Sequence, residues 1–118
     1  MHFRQREIYW ADLDPVRGRE QRGRRPVLVI SRNELNDLPL TVLVMPGTSA
    51  EHLDPRKNFP SDVWIPAREG GLSKDTVFLG LQLKSLDESR FGSRIGELPE
   101  LRMREVWAAI RYVTGDDE

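Results

Sequence analysis

The sequence predicts a small, mostly β fold of the α+β type: a curled sheet or barrel of five to seven short strands, with one helix packed on it. Three observations carry this prediction. Short β-branched and aromatic runs recur through the first 96 residues, each bounded by Pro, Gly, Asn or Asp. Helical periodicity is sustained only once, near the C-terminus. A chain of 118 residues, 38 % of them hydrophobic, suits one core and not two, so residues 1–118 are read as a single domain.

The elements follow in order. Glu7-Ile8-Tyr9-Trp10-Ala11-Asp12-Leu13 reads as a strand closed by the turn former Asp14-Pro15. Pro26-Val27-Leu28-Val29-Ile30 is a continuous apolar run, hence a strand covered on both faces. Ser31 and Glu34 have capping-box spacing and predict a short helical turn before Asn36. Residues 40–45 supply a third strand, which Pro46-Gly47 is expected to stop. From Pro46 to Pro60 the apolar period vanishes, and a loop of that length in a small domain is a functional candidate. Residues 62–65 form a short strand, 67–71 a turn, and 76–83 a strand broken at Gly80. Residues 86–90 read as a helical turn and 93–96 as a last strand. Met103, Val106, Trp107, Ile110 and Val113 then share one face of a helix, with Pro99 at its start, Gly115 at its stop and residues 116–118 as a frayed tail.

Composition excludes several chemistries. With no cysteine there is no disulfide, thiolate metal site or cysteine nucleophile. No stretch reaches the ~18 apolar residues of a membrane span, and residues 1–7 lack the apolar run of a secretory signal, so a cytoplasmic protein without membrane contact is expected. The net charge of −1, from 18 basic and 19 acidic residues, argues against a uniformly basic nucleic-acid coat. The charge is unevenly placed, however. Residues 1–36 hold eight arginines against five acids, whereas residues 37–118 hold ten basic against fourteen acidic groups. Arg17, Arg19, Arg22, Arg24 and Arg25 crowd around one acid, Glu20. Such a run is either a solvated loop or a phosphate site; arginine recognises phosphate bidentately, and Gly18 and Gly23 let a backbone approach a ligand.

Two histidines, His2 and His52, are too few for a hydrolytic triad, and Asp12 with Asp14 reads as a strand-ending turn before a metal site. Neither glycine-rich phosphate motif occurs, so no cofactor is expected. There remain Arg25, anchored beside Pro26 at a strand edge, and Thr48-Ser49, whose hydroxyls and N–H groups at a Pro-Gly turn suit a phosphate nest. If their strands are neighbours, guanidinium and hydroxyl converge on one phosphate and can stabilise a pentavalent phosphorane without metal, histidine or thiol. Each also has a structural alternative, Arg25 as an ion pair and Thr48 as a turn former.

Gly18-Arg19-Glu20-Gln21, Arg25-Pro26-Val27-Leu28-Val29-Ile30-Ser31 and Pro46-Gly47-Thr48-Ser49 together resemble the MazF/PemK family of toxin endoribonucleases. The likeness continues through Gly71-Leu72-Ser73-Lys74-Asp75-Thr76-Val77, Gln82-Leu83-Lys84-Ser85-Leu86-Asp87 and Arg90, and so covers nearly the whole chain. The resemblance implies a small SH3-like β-barrel with short connecting helical turns and a C-terminal helix, acting as a homodimer. It implies metal-independent cleavage of single-stranded RNA to 2′,3′-cyclic phosphate and 5′-OH ends, and inhibition by a cognate antitoxin with an acidic disordered segment. Arg25, Thr48 and Glu20 fall on the family's catalytic positions: Arg25 as charge stabiliser, Thr48 as phosphate orienter, Glu20 as candidate base. Gln21, Arg22, Arg24, Ser49, Gln82 and Lys84 are the expected substrate-binding residues. Leu81 replaces an acid that usually precedes Gln82, and Arg24 adds charge at a variable position; both bear on RNA sequence preference. A non-catalytic toxin on the same barrel, inhibiting a protein target such as DNA gyrase, is the competing reading.

Overall fold

The computed structural model describes residues 2–116; the end of the expected frayed tail, residues 117–118, lies outside them. Seven strands form: β1 (Glu7–Asp12), β2 (Arg24–Val29), β3 (Val42–Ser49), β4 (Asp62–Ile65), β5 (Thr76–Leu79), β6 (Lys84–Leu86) and β7 (Phe91–Glu97). Two α-helices accompany them, the single turn α1 (Asn33–Asn36) and the long α2 (Glu100–Thr114). Every ladder is antiparallel, in the order β4-β5-β3-β2-β1-β7, with β6 beside the first half of β3. Among the described residues the ladder does not close between β4 and β7, so the fold is barrel-like rather than a sealed barrel. A 3₁₀ turn, Glu69–Gly71, packs backbone to backbone on β7 at that open edge. A Cβ on Gly96 would overlap the Gly70 carbonyl oxygen, so only glycine fits there. No helix among the described residues is long and apolar enough to cross a membrane.

The unbroken apolar run of β2 follows from two cores, one on each face. Leu28 joins Ile8, Met45, Phe78 and Leu98 beneath the buried face of α2, which contributes Met103, Val106 and Ala109. Val27 and Val29 point the other way, into a cluster with Phe3, Tyr9, Ala11, Val42, Val44 and Leu86. Gly115 ends α2 in a left-handed conformation, as the sequence implies.

Two local expectations are corrected. Pro46-Gly47 does not stop the third strand; β3 runs on to Ser49 and changes partner there. It pairs with β2 as far as Pro46 and with β5 from Gly47. The proline is tolerated because β6 ends its pairing at Val44 and β5 begins only at Gly47, so no strand stands opposite Pro46 on that side. The Ser31–Glu34 capping box does not form either. Arg32 is the N-cap of α1 and has no side-chain capping bond. The Ser31 hydroxyl instead donates to Asn36 Oδ1 (2.6 Å) and accepts the Leu43 N–H (3.1 Å), because it is buried against β3.

One buried charge ties the N-terminal strand to the last one. Glu7 is 8 % exposed and accepts from Arg94 Nε (2.6 Å), the Arg4 N–H (2.6 Å) and the Tyr9 hydroxyl (2.9 Å). Burial alone would raise its pKa; the three donors outweigh burial and hold the carboxyl below its ordinary value. Burial and the Glu7 carboxylate together push the Tyr9 hydroxyl up to about 12.

Two outcomes follow for stability. A depressed carboxyl stabilises the fold above the ordinary carboxylate range, and that contribution is lost as pH falls below ~4. Glu7→Gln is therefore expected to cost about 2 kcal/mol at neutral pH and to flatten the acid limb of stability, measured by urea unfolding from pH 7 to 3. Gly96→Ala is expected to cost about 1–3 kcal/mol through overpacking on the Gly70 carbonyl, read from the same denaturation midpoint.

Candidate active site

The β2–β3 register aligns Val27 with Pro46, and continuing it by two residues sets Arg25 opposite Thr48. The two strands have parted by then, and each is held from its outer side, Arg25 by Ala11 on β1 and Thr48 by Val77 on β5. Across the opening, Arg25 Nη1 donates to Thr48 Oγ1 at 3.4 Å, while Arg25 Nε donates to the Arg22 carbonyl at 2.9 Å. No carboxylate pairs with Arg25 among the described residues, so its structural alternative, an ion pair, is not what forms. Thr48 lies in an extended strand rather than at a turn. Its contribution is therefore a hydroxyl; the expected turn nest is absent because β3 does not turn there.

The remaining expected site residues divide. Gln21 and Arg22 belong to the loop between β1 and β2, whose base is closed by Leu13 N–H to Gly23 O (2.9 Å) and Gly23 N–H to Asp14 Oδ1 (3.1 Å). Asp12 accepts the Asp14 N–H (3.1 Å), so both aspartates serve the turn. Gly18 and Gly23 have φ of 58° and 76°, a conformation the turn needs and other residues resist. Glu20 is exposed, and its carboxylate accepts the Arg17 N–H at 2.7 Å; the structure ties it to the loop and not to Arg25 or Thr48. Ser49 is exposed next to Thr48, and Lys84 opens β6 opposite Val44. The Gln82 side chain reaches the arginine loop through both ends of its amide, accepting from the Gln21 N–H (3.2 Å) and donating to the Arg19 carbonyl (3.3 Å).

Arg24, adjacent to Arg25 in sequence, does not reinforce it directly. Strand alternation sends its side chain to the Trp10 side of the strand, where its guanidinium stacks 4.4 Å from the centroid of the Trp10 ring, so the two arginines meet only at the rim of one hollow, which Thr48 does not line. Trp10, Arg24, Arg25, Ser49, Ser73 and Lys74 border a hollow of about 450 Å³, and none of the residues that line it is acidic. That size and lining suit a nucleotide-sized anion. Trp10 and Ser73 were not singled out as site residues by sequence reasoning; the signal available was the period of two that puts Trp10 on the Arg24 face. The larger hollow, about 990 Å³ beside Leu35, Leu38 and Leu40, contains none of the expected site residues. Among the described residues no three His, Asp or Glu side chains gather as a metal site.

Comparison with known proteins gives a consistent result. Residues 4–114 match the family described as PemK-like, MazF-like toxin of type II toxin–antitoxin system. The chain is 36 % identical over 113 residues to the endoribonuclease MazF of Staphylococcus saprophyticus, covering 96 % of this chain and 92 % of that protein. Its fold is similar to the crystal structure of MazF from Deinococcus radiodurans, with a TM-score of 0.80, 29 % identity and 98 % of each chain covered. A MazE–MazF complex from Deinococcus radiodurans is also similar, with a TM-score of 0.71, 26 % identity, and 98 % of this chain and 97 % of that one covered.

Because Arg25 and Thr48 hold neither core nor ion pair, Arg25→Ala and Thr48→Val are expected to shift stability by no more than about 0.5 kcal/mol. A shift above ~2 kcal/mol in thermal or urea unfolding would assign the pair a structural role instead.

Proposed function

The chain belongs to the PemK-like, MazF-like toxin family of type II toxin–antitoxin systems, and from that membership and the Arg25–Thr48 pair we propose a metal-independent endoribonuclease toxin that cleaves single-stranded RNA in the cytoplasm. The observation that carries the chemistry is an arginine fixed at two hydrogen bonds, one to a threonine hydroxyl, with no carboxylate neutralising it.

In this reading a ribose 2′-OH attacks the adjacent phosphorus and the P–O5′ bond breaks, the departing O5′ taking a proton from solvent, which leaves a 2′,3′-cyclic phosphate and a 5′-OH. Arg25 neutralises the charge that grows on the non-bridging oxygens, and the Thr48 hydroxyl orients the phosphate. Glu20 is the base that accepts the 2′-OH proton, which requires it to exchange the Arg17 N–H for the substrate. Gln21, Arg22, Ser49 and Lys84 bind the strand to either side, and Arg24 on Trp10 borders the hollow beside Arg25. The toxin acts as a homodimer, and an acidic disordered segment of a cognate antitoxin competes with RNA for the same arginines.

Purified protein is expected to cut unstructured RNA in excess EDTA and leave cyclic phosphate ends. Arg25→Ala should lose about 10²–10³-fold in kcat, and Glu20→Gln about 10²–10⁴-fold, with RNA still bound. Activity abolished by EDTA would overturn the mechanism. Growth inhibition that survives Arg25→Ala with intact RNA pools would replace it with a non-catalytic toxin acting on a protein.

A further inference from the structure

We propose that Gln82 is a positioning residue that clamps the tip of the arginine loop and, through the Arg22 carbonyl, sets the orientation of Arg25. The inference rests on the ribonuclease reading above and deepens it. Both ends of the Gln82 amide are occupied by one target, with Oε1 accepting the Gln21 N–H at 3.2 Å and Nε2 donating to the Arg19 carbonyl at 3.3 Å. An amide used in this way on both sides of Glu20 fixes the tip in position and in orientation. Among the described residues no other side chain from outside the loop hydrogen-bonds the stretch 17–22 except Arg25, which belongs to the site itself.

The clamp has a firm base. Gln82 ends the 3₁₀ turn Gly80–Gln82, whose first N–H donates to the Ser61 carbonyl at 2.9 Å, and Gly80 is packed against Ser61 and Val113 of α2. The tip, by contrast, has besides Gln82 and Arg25 only bonds within itself, from the Arg17 N–H to the Glu20 carboxylate, from the Glu20 N–H to the Arg17 carbonyl and from Arg22 Nη2 to the Gly18 carbonyl. Directly after the clamped Gln21 comes Arg22, and its carbonyl receives Arg25 Nε at 2.9 Å. If the tip is released, that carbonyl moves with it and Arg25 keeps only the longer contact to Thr48. Gln82 therefore acts on the reaction through Arg25 and not by reading a base.

The test is Gln82→Met, which keeps length and volume and removes both hydrogen bonds. In the RNA-free protein the Gln21 amide is expected to exchange at least about tenfold faster. On several unrelated RNA sequences kcat is expected to fall by about tenfold, and by a similar factor on each. Gln82→Glu, which keeps the acceptor for Gln21 and loses the donor to Arg19, should recover part of the Gln21 protection and keeps the test open if the methionine variant folds poorly. Unchanged Gln21 exchange overturns the clamp. Faster exchange with unaltered kcat overturns its link to Arg25, and a loss confined to one RNA sequence makes Gln82 a base-contacting residue instead. If the wild-type protein cuts no RNA, the ribonuclease reading fails while the exchange measurement still decides the clamp.

Discussion

Thr76 and Phe78 crowd position 47, and the geometry of the molecule turns on that contact. A Cβ on Gly47 would lie 3.0 Å from the Phe78 ring and 2.9 Å from the Thr76 methyl, closer than packed atoms tolerate. With glycine there, β3 can pass close over Phe78, parting from β2 on one edge while β5 takes over from β6 on the other. The exchange curls the sheet around the core under α2 and splits β2 from β3 beyond Pro46. Arg25 and Thr48 are the facing residues at that split, each held by a strand on its far side. A flat sheet would have closed the same two positions into an ordinary ladder pair. The opening is thus a product of core packing, although neither residue belongs to the core.

Charge is disposed on the same plan. The acids that form ion pairs take partners outside the arginine loop: Glu7 and Glu97 with Arg94, Glu97 with Arg6, Glu69 and Glu105 with Arg102, Asp37 with Arg4, Asp54 with Arg56, and Glu51 with Lys74 at the rim of the hollow. None of the ion pairs among the described residues involves Arg17, Arg19, Arg22, Arg24 or Arg25. A net charge of −1 is therefore compatible with a locally uncompensated cationic face, because neutralisation is pairwise and distant from the loop. Screening limits that field to about 8–10 Å at physiological salt. An anion is then attracted where the arginines are and not over the acidic remainder of the surface.

What the sequence shows and what it hides divide along the range of the interactions concerned. β1, β2 and the face of α2 are legible because period and β-branching are local properties that tertiary packing here reinforces. The convergence of Arg25 with Thr48 is legible only as a condition on neighbouring strands, which the register then meets. Pro46-Gly47 misleads because the same dipeptide stops a strand or bends it, and the choice lies with Phe78, thirty-one residues away. Arg24 reaches the hollow beside Arg25 from the other side of the strand, by way of Trp10, which adjacency in sequence alone does not show. The Ser31 spacing fits a capping box, but the demand of the buried Leu43 N–H takes the hydroxyl first. Glu7 with Arg94 and Gln82 with the arginine loop join residues sixty and more apart, and no local pattern announces them.

The site also separates two mechanical requirements that one segment could not meet together. Stabilising a developing charge needs a donor fixed before the reaction begins, since reorientation during the step would consume the advantage. Arg25 satisfies this from a strand whose backbone is paired to β1 and whose side chain is held at both Nε and Nη1. In the proposed reaction, gathering a flexible single strand would need the opposite, cations on a segment that can adjust, and Arg17, Arg19 and Arg22 stand on a loop punctuated by Gly18 and Gly23. The two segments meet at the Arg22 carbonyl, which belongs to the adjustable loop and yet orients the fixed arginine. Any restraint on the loop tip is therefore transmitted to Arg25. That coupling accounts for an amide on a rigid turn, Gln82, being directed at loop backbone while Leu81 beside it stands 75 % exposed: the body of the protein holds the loop by its backbone and leaves its arginines without ion pairs.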